Sequence, residues 1–274
     1  MTKSAAGYRW QGPERPQTPV ILSVCHAGRA YEQLLDLALH PQLLWRLEDR
    51  AADLLVDAAV AEGASALIAT RPRAFVDLNR EPGDLDWEQV EDLGPTTLSA
   101  RAKHGLGLIP RRLAPYGELW RRKLTADELG ERLAFHAAYH VELHAALSQR
   151  VAVFGHAILL DLHSMPPLVG PRPAELVLGD RYGKTAGRNT LGVVERLARE
   201  RGLRVARNEP YAGGAIITRA ARRPEVQAIQ LELARPLYLD RALQRPGPGL
   251  LAMQALIAAI VRVLGFETVP LAAE

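Results

Sequence analysis

Val20-Ile21-Leu22-Ser23-Val24-Cys25-His26 and Ala157-Ile158-Leu159-Leu160-Asp161-Leu162-His163 are the stretches that decide how this chain is read. Each is a short apolar run, strand-like rather than helical, that ends in a histidine. An imidazole at the carboxyl end of a buried strand points into the crevice where open α/β sheets hold their ligands. A lone histidine beside a turn glycine, as in His26-Ala27-Gly28, reads simply as a polar strand terminus. Two from distant segments, the second preceded by Asp161 on the same strand face, read as metal ligands gathered by a fold. A metal held by two histidines and a carboxylate with one position open is the pattern of hydrolytic zinc chemistry. Asp161 would then orient His163 and fix its tautomer.

Working outward, helical periodicity covers Tyr31–Leu39 and Pro41–Glu62, with Gly63 as a stop. Ala64–Thr70 and Ala74–Leu78 read as strands. Glu81 to Ala114 is rich in Pro, Gly and charge and reads as a long, partly irregular insertion over the site. Thr125 caps a helix to about Phe154, with Asp127 and Glu128 in its first turn. After strand 157–162 come a loop with Pro166-Pro167, a strand Glu175–Gly179 and a helix Asn189–Arg201. Strands Leu203–Arg207 and Ala228–Leu233 follow, then an amphipathic helix Leu250–Leu264 ended by Gly265. Strands alternating with helices imply an α/β fold, a mostly parallel sheet with helices on both faces. Residues 1–18 read as a loose leader and 19–274 as a single catalytic domain, without internal repeats.

The chain's 274 residues, 48% of them hydrophobic, can bury a large core, and with 5% aromatic residues that core must be aliphatic. Thirty-four basic residues are interspersed with 31 acidic ones, so the net charge of +3 marks no nucleic-acid tail. One cysteine, Cys25, excludes an internal disulfide framework. No secretory signal and no apolar run long enough to span a bilayer is visible, and a cytoplasmic protein without membrane or nucleic-acid partners is expected.

Several further groups carry chemistry. Glu48-Asp49-Arg50, with Asp53 one helical turn on, reads either as a solvated helix face or as the carboxylate source that a two-histidine site needs. Arg73 and Asp77-Leu78-Asn79-Arg80 read as a strand end or as a clamp for an anionic substrate, since the arginine fork matches a carboxylate. Asn208 to Gly214 is a turn whose paired Gly213 and Gly214 permit close backbone approach to a ligand. Gln230-Leu231-Glu232 sets two polar side chains on one face of an otherwise buried strand, making Glu232 a candidate general base. His136, His140 and His144 form an i, i+4, i+8 stripe whose Ala-rich flanks suggest helix packing, and His136 and His144 are read as structural.

These pieces together resemble the N-formylglutamate amidohydrolase family, related to the zinc carboxypeptidases. The matching segments run in family order from Leu22 to Tyr238: Leu22–Gly28, Glu48-Asp49 with Asp53, Arg73–Arg80, Tyr139-His140, Asp161–Ser164, Asn208 with Gly213-Gly214, and Gln230–Glu232. The resemblance implies a phosphorylase/hydrolase-like three-layer α/β/α sandwich with a mostly parallel mixed sheet. It further implies a zinc-dependent hydrolase of a linear amide, cleaving an N-acyl amino acid such as N-formyl-L-glutamate. One Zn²⁺ per chain is expected on His26, His163 and Asp49, with Glu48 and Asp53 as rival third ligands. Glu232 matches the general base and Asn79-Arg80 the pair that holds a substrate carboxylate. Arg73 is expected at the reacting centre or, like Arg219, on a side-chain carboxylate. Tyr139, His140, Asn208, Gly213 and Gly214 are expected to contact substrate.

The chain departs from the family pattern at Cys25, where proline is usual, at Leu47–Arg50, where Asp-Thr-Asp-Trp is usual, and over 81–125. Another substrate of the same zinc superfamily, a peptidase or acylase, and a non-catalytic binding protein on this fold are the alternatives.

Overall fold

The computed structural model describes residues 2–266 except Ala6, Leu35 and Thr96. Among them the elements run β1 (Thr2–Ala5), β2 (Tyr8–Gln11), β3 (Val20–Val24), α1 (Asp57–Ala61), β4 (Ser65–Ala69), α2 (Ala100–Lys103), β5 (Arg112–Leu113), β6 (Gly117–Glu118), α3 (Ala126–Phe154), β7 (Ala157–Met165), β8 (Leu176–Gly179), α4 (Arg188–Glu200), β9 (Val205–Arg207), α5 (Ala215–Ala220), β10 (Val226–Ala234) and α6 (Leu250–Phe266). The main sheet has the order β1-β2-β4-β3-β7-β10-β8-β9, and β5 pairs with β6 apart from it. Its centre, β4-β3-β7-β10, is parallel, while β2 joins β4 and β8 joins β10 antiparallel. Every residue of β3, β7 and β10 is buried, as expected of parallel strands covered on both faces.

Period-two alternation separates the two faces. Val20, Leu22 and Val24 pack with residues of α1, α4 and α6, while Ile21 packs with residues of α3 and α5. The result is the expected three-layer α/β/α sandwich with a mixed sheet. The chain runs from β3 to β4 on one side and later returns as β7 on the other side of β3. That reversal opens a crevice between the carboxyl ends of β3 and β7, the place where doubly wound sheets bind ligands. His26 lies two residues beyond β3, and His163 lies near the end of β7.

Three expectations are corrected. The residues read as a loose leader include β1 and β2, which extend the sheet beyond β4. The helices expected over 31–39 and 41–62 are short 3₁₀ turns, Tyr31–Gln33, Pro41–Arg46 and Ala52–Leu54, followed only by the five-residue α1. Helical hydrogen bonding is interrupted because the Asp49 N–H donates to His26 O (2.9 Å) and Ala51 is left-handed (φ 55°). Ala74–Leu78 is no strand. The Phe75 N–H donates to Pro72 O and the Asp77 N–H to Leu108 O, and Phe75 packs edge-on against Phe135 of α3. The apolar character of that segment reflects burial under a helix, not a place in the ladder. No described helix is long and apolar enough to cross a membrane.

Candidate active site

β3 and β7 bring the two imidazoles together, their ring centroids 4.8 Å apart. Asp49 lies between them. Its Oδ2 is 3.0 Å from His163 Nδ1 and 3.5 Å from His26 Nδ1. The opposite ring nitrogens are held by carboxylates, His26 Nε2 by Asp77 Oδ1 at 2.7 Å and His163 Nε2 by Asp161 Oδ2 at 2.8 Å. Histidines that ligate a metal are usually fixed in this way by an acidic partner. Asp49 is itself oriented, since Ser164 Oγ donates to its Oδ1 at 3.1 Å.

Cys25, His26 and His163 form a second possible donor set, with one donor atom from each within 4.8 Å of the others. Cys25 Sγ, however, sits 3.8 Å from His163 Nε2, the nitrogen already bonded to Asp161. Asp49 lines the cavity described below and Cys25 does not, so the set with Asp49 is the one that faces the cavity. The rival carboxylates point elsewhere. Glu48 accepts from Tyr31 and Arg50, and Asp53 accepts from Arg29 and Arg9.

Electrostatics follow from this packing. Burial works against a charged His26, yet the influence of Cys25 and Asp77 outweighs it and raises its pKa to about 10. His163 is also raised well above its usual value, against burial, by Asp161 and Cys25. Burial opposes ionisation of Asp49 and Asp77, but both stay below the usual carboxylate range. The two histidines hold Asp49 down, and Arg73 with His26 holds Asp77 down. Glu232 moves the other way: burial raises its pKa, Asp49 adds to the rise, and His163 partly offsets it.

A cavity of about 180 Å³ opens on these groups. Its lining includes His26, Asp49, His163, Glu232, Arg73, Asn79, Arg80, Gly213 and Gly214. In the parallel β10–β7 register Glu232 stands beside His163, and Gln230 Nε2 donates to Glu232 Oε1 at 2.9 Å. Arg73 grips Asp77 with two nitrogens, Nε at 2.9 Å and Nη2 at 2.8 Å. Asn79 donates to Gln230 Oε1 and accepts from the Ile216 N–H. A Cβ on Gly214 would lie 2.2 Å from Asn79 Oδ1, so only glycine lets Asn79 sit there.

The other expected substrate contacts lie outside the lining of this cavity. Tyr139 is fully buried, with its hydroxyl near Leu67 O and Ser23 Oγ. His140 donates to Leu78 O at 2.9 Å. Asn208, left-handed at φ 60°, accepts from the Asp180 and Tyr182 N–H groups and donates to Asp180 Oδ1. Arg219 is paired with Glu81.

Conversely, Arg46, Arg101, Tyr211 and Arg235 line the cavity without having been singled out in the sequence. Arg235 follows directly on β10, three residues after Glu232, and that spacing was the one available signal.

Residues 18–239 match the family model of N-formylglutamate amidohydrolase. An N-formylglutamate deformylase of Pseudomonas aeruginosa is 30% identical over 241 residues, covering 83% of this chain and 84% of that protein. One from Pseudomonas putida is 30% identical over 240 residues, covering 81% and 82%. Among solved structures, an N-formylglutamate amidohydrolase from Ralstonia eutropha superposes with a TM-score of 0.87 at 32% identity, covering 95% of this chain and 98% of that one.

Proposed function

Because this chain belongs to the N-formylglutamate amidohydrolase family, we propose that it hydrolyses the amide of an N-formyl amino acid, with N-formyl-L-glutamate as substrate. The products are formate and the free amino acid. The observation that carries the reading is the approach of Asp49 Oδ2 to the Nδ1 atoms of both histidines, on the cavity that Glu232 lines.

His26, His163 and Asp49 would hold a divalent metal. Two imidazoles and a carboxylate, with the far ring nitrogens anchored by Asp77 and Asp161, are a donor set suited to zinc. A bound ion of this kind supplies Lewis acidity, polarising a carbonyl oxygen and making water nucleophilic near neutral pH.

Glu232 accepts the proton of the attacking water. Its raised pKa brings it closer to the working pH than a solvated carboxylate would be. As the oxygen bonds to the formyl carbon and the C–N bond breaks, Glu232 returns the proton to the departing nitrogen. Arg73 lines the cavity while fixed on Asp77, so its charge faces the negative oxygen that develops without needing to reorient. Asn79 and Arg80 hold the α-carboxylate.

Formate release from N-formyl- and N-acetyl-amino acids, assayed alongside metal content by mass spectrometry, tests this reading. Glu232→Gln should slow turnover by about 10²- to 10⁴-fold with metal content unchanged. His163→Ala should lose metal and activity together. Near-normal formate release by Glu232→Gln would remove the assigned base. A wild-type protein that binds no zinc would remove the metal site.

A further inference from the structure

Five arginines line the cavity: Arg46, Arg73, Arg80, Arg101 and Arg235. A substrate with two carboxylates needs a cationic partner for each, because an unpaired carboxylate loses hydration on entering without compensation. Arg73 is engaged by Asp77. Arg80 lies within 3.9 Å of both Asp77 and Asp84 and donates to Leu106 O. Arg235 donates to Ser164 Oγ and Glu48 O. The Arg46 guanidinium lies 4.7 Å from the Trp45 ring centre and 5.0 Å from that of Tyr116. Arg101 differs: among the described residues its guanidinium has no hydrogen-bond, ion-pair or ring partner.

The backbone that carries Arg101 is nonetheless well placed. Ser99 caps α2 by accepting from the Ala102 N–H. The segment just after α2 is tied to the site, with the Asp77 N–H donating to Leu108 O at 2.7 Å and Arg80 Nε to Leu106 O. Between those two anchors a Cβ on Gly107 would come within 2.6 Å of Asp84 O, so the strap lies directly against the site loop. One short segment therefore supports Arg80 and presents Arg101 to the same cavity. The charge of Arg101 is felt at Arg80 and at Tyr211, two other residues of the lining.

The geometry points to Arg101 as the residue that binds the side-chain carboxylate of an N-formyl dicarboxylic amino acid, and so sets the preference for acidic over neutral substrates. The assignment rests on the hydrolase reading above, in which Asn79 and Arg80 take the α-carboxylate. It also replaces the two residues expected from the sequence for the side-chain carboxylate, since Arg73 is held on Asp77 at the reacting centre and Arg219 lies outside the cavity lining, paired with Glu81.

The test compares N-formyl-L-glutamate with its neutral isostere N-formyl-L-glutamine on wild type, Arg101→Gln and Arg46→Gln. A lost charge-assisted contact changes binding by about 10- to 100-fold. The ratio of kcat/KM for glutamate over glutamine should fall by that factor in Arg101→Gln, and the loss should lie in KM rather than kcat. Arg101→Lys should restore part of it. An unchanged ratio in Arg101→Gln, or a collapse in Arg46→Gln instead, overturns the assignment.

Calorimetric binding of both compounds to the same proteins separates this inference from the hydrolase reading. If the wild type cleaves neither compound, the hydrolytic reading fails. Tighter binding of the dicarboxylate that disappears in Arg101→Gln still supports the carboxylate site, and equal binding of the two compounds by wild type overturns it.

Discussion

Both site histidines are gripped on two sides, by Asp49 on Nδ1 and by Asp77 or Asp161 on Nε2. Asp161 is itself held in place, since its Oδ1 accepts from Ser23 Oγ while Oδ2 faces His163. Asp161→Asn keeps the shape and removes the charge, and zinc affinity should fall about 10- to 100-fold in competition with a chromogenic chelator. Unchanged affinity would reduce Asp161 to a packing residue. The protonation of the histidines gives a second expectation. Without metal, His26 keeps its proton to about pH 10 and His163 is raised in the same direction. A metal must displace those protons, so zinc binding near pH 7 should release about two protons and tighten as pH rises. Calorimetry in buffers of differing ionisation enthalpy counts them, and binding with no proton release would contradict the raised values. For the metal-free protein the stability linkage runs the opposite way. The His26 contribution is complete below its ordinary pKa of 6.5 and is lost as pH rises through about 10.

The long helix α3 turns its histidine stripe to a use the i, i+4 spacing does not announce. His136 donates to Arg80 O at 2.9 Å and His140 to Leu78 O at 2.9 Å, so the helix grips the backbone on either side of Asn79. Donation to a carbonyl suits a neutral ring. Burial lowers both pKa values, that of His140 to about 4. Stability from His140 is therefore full above pH 6.5 and lost as pH falls through about 4. His140→Ala leaves the Leu78 carbonyl unpaired. It should cost about 1–3 kcal/mol in denaturant unfolding and raise KM while zinc content stays normal. A variant with normal KM would show that the grip does not position Asn79. The start of α3 is secured by a capping box, in which Thr125 accepts from the Glu128 N–H and Glu128 accepts from the Thr125 N–H. Thr125→Ala should cost about 1 kcal/mol in the same measurement.

At the scale of the whole molecule, the sheet places its two candidate-site histidines at the crossover between β3 and β7 and uses its flanks for closure. β1 and β2 cover the outer edge of β4, and an uncovered edge strand invites pairing with another chain. Deleting residues 1–12 should therefore lower the unfolding midpoint and cause association detectable by light scattering. A monomeric deletion variant of wild-type stability would show that the hairpin is dispensable, as a leader would be.

Much of this was legible because it is local. The buried runs of β3, β7 and β10 announce parallel strands, Thr125 with Glu128 announces the start of α3, and the strand-end histidines with Glu232 announce where chemistry gathers. These signals depend on residues within a few positions of one another, and propensity and periodicity act over that range. Strand β2 and the 3₁₀ turns of 31–54 were not legible, because pairing with β4 and hydrogen bonds to His26 override local preference there. The sequence alone determined the class of fold, the central strands and the two strand-end histidines that the fold brings together. Only the tertiary structure decided which of Glu48, Asp49 and Asp53 faces the histidines, that His140 bonds Leu78 O outside the cavity lining, and that Arg101 is left without a partner among the described residues at the cavity. Each of those outcomes depends on which distant segment satisfies a charge or a carbonyl first, and a partner brought from tens of residues away leaves no trace in the spacing of neighbours.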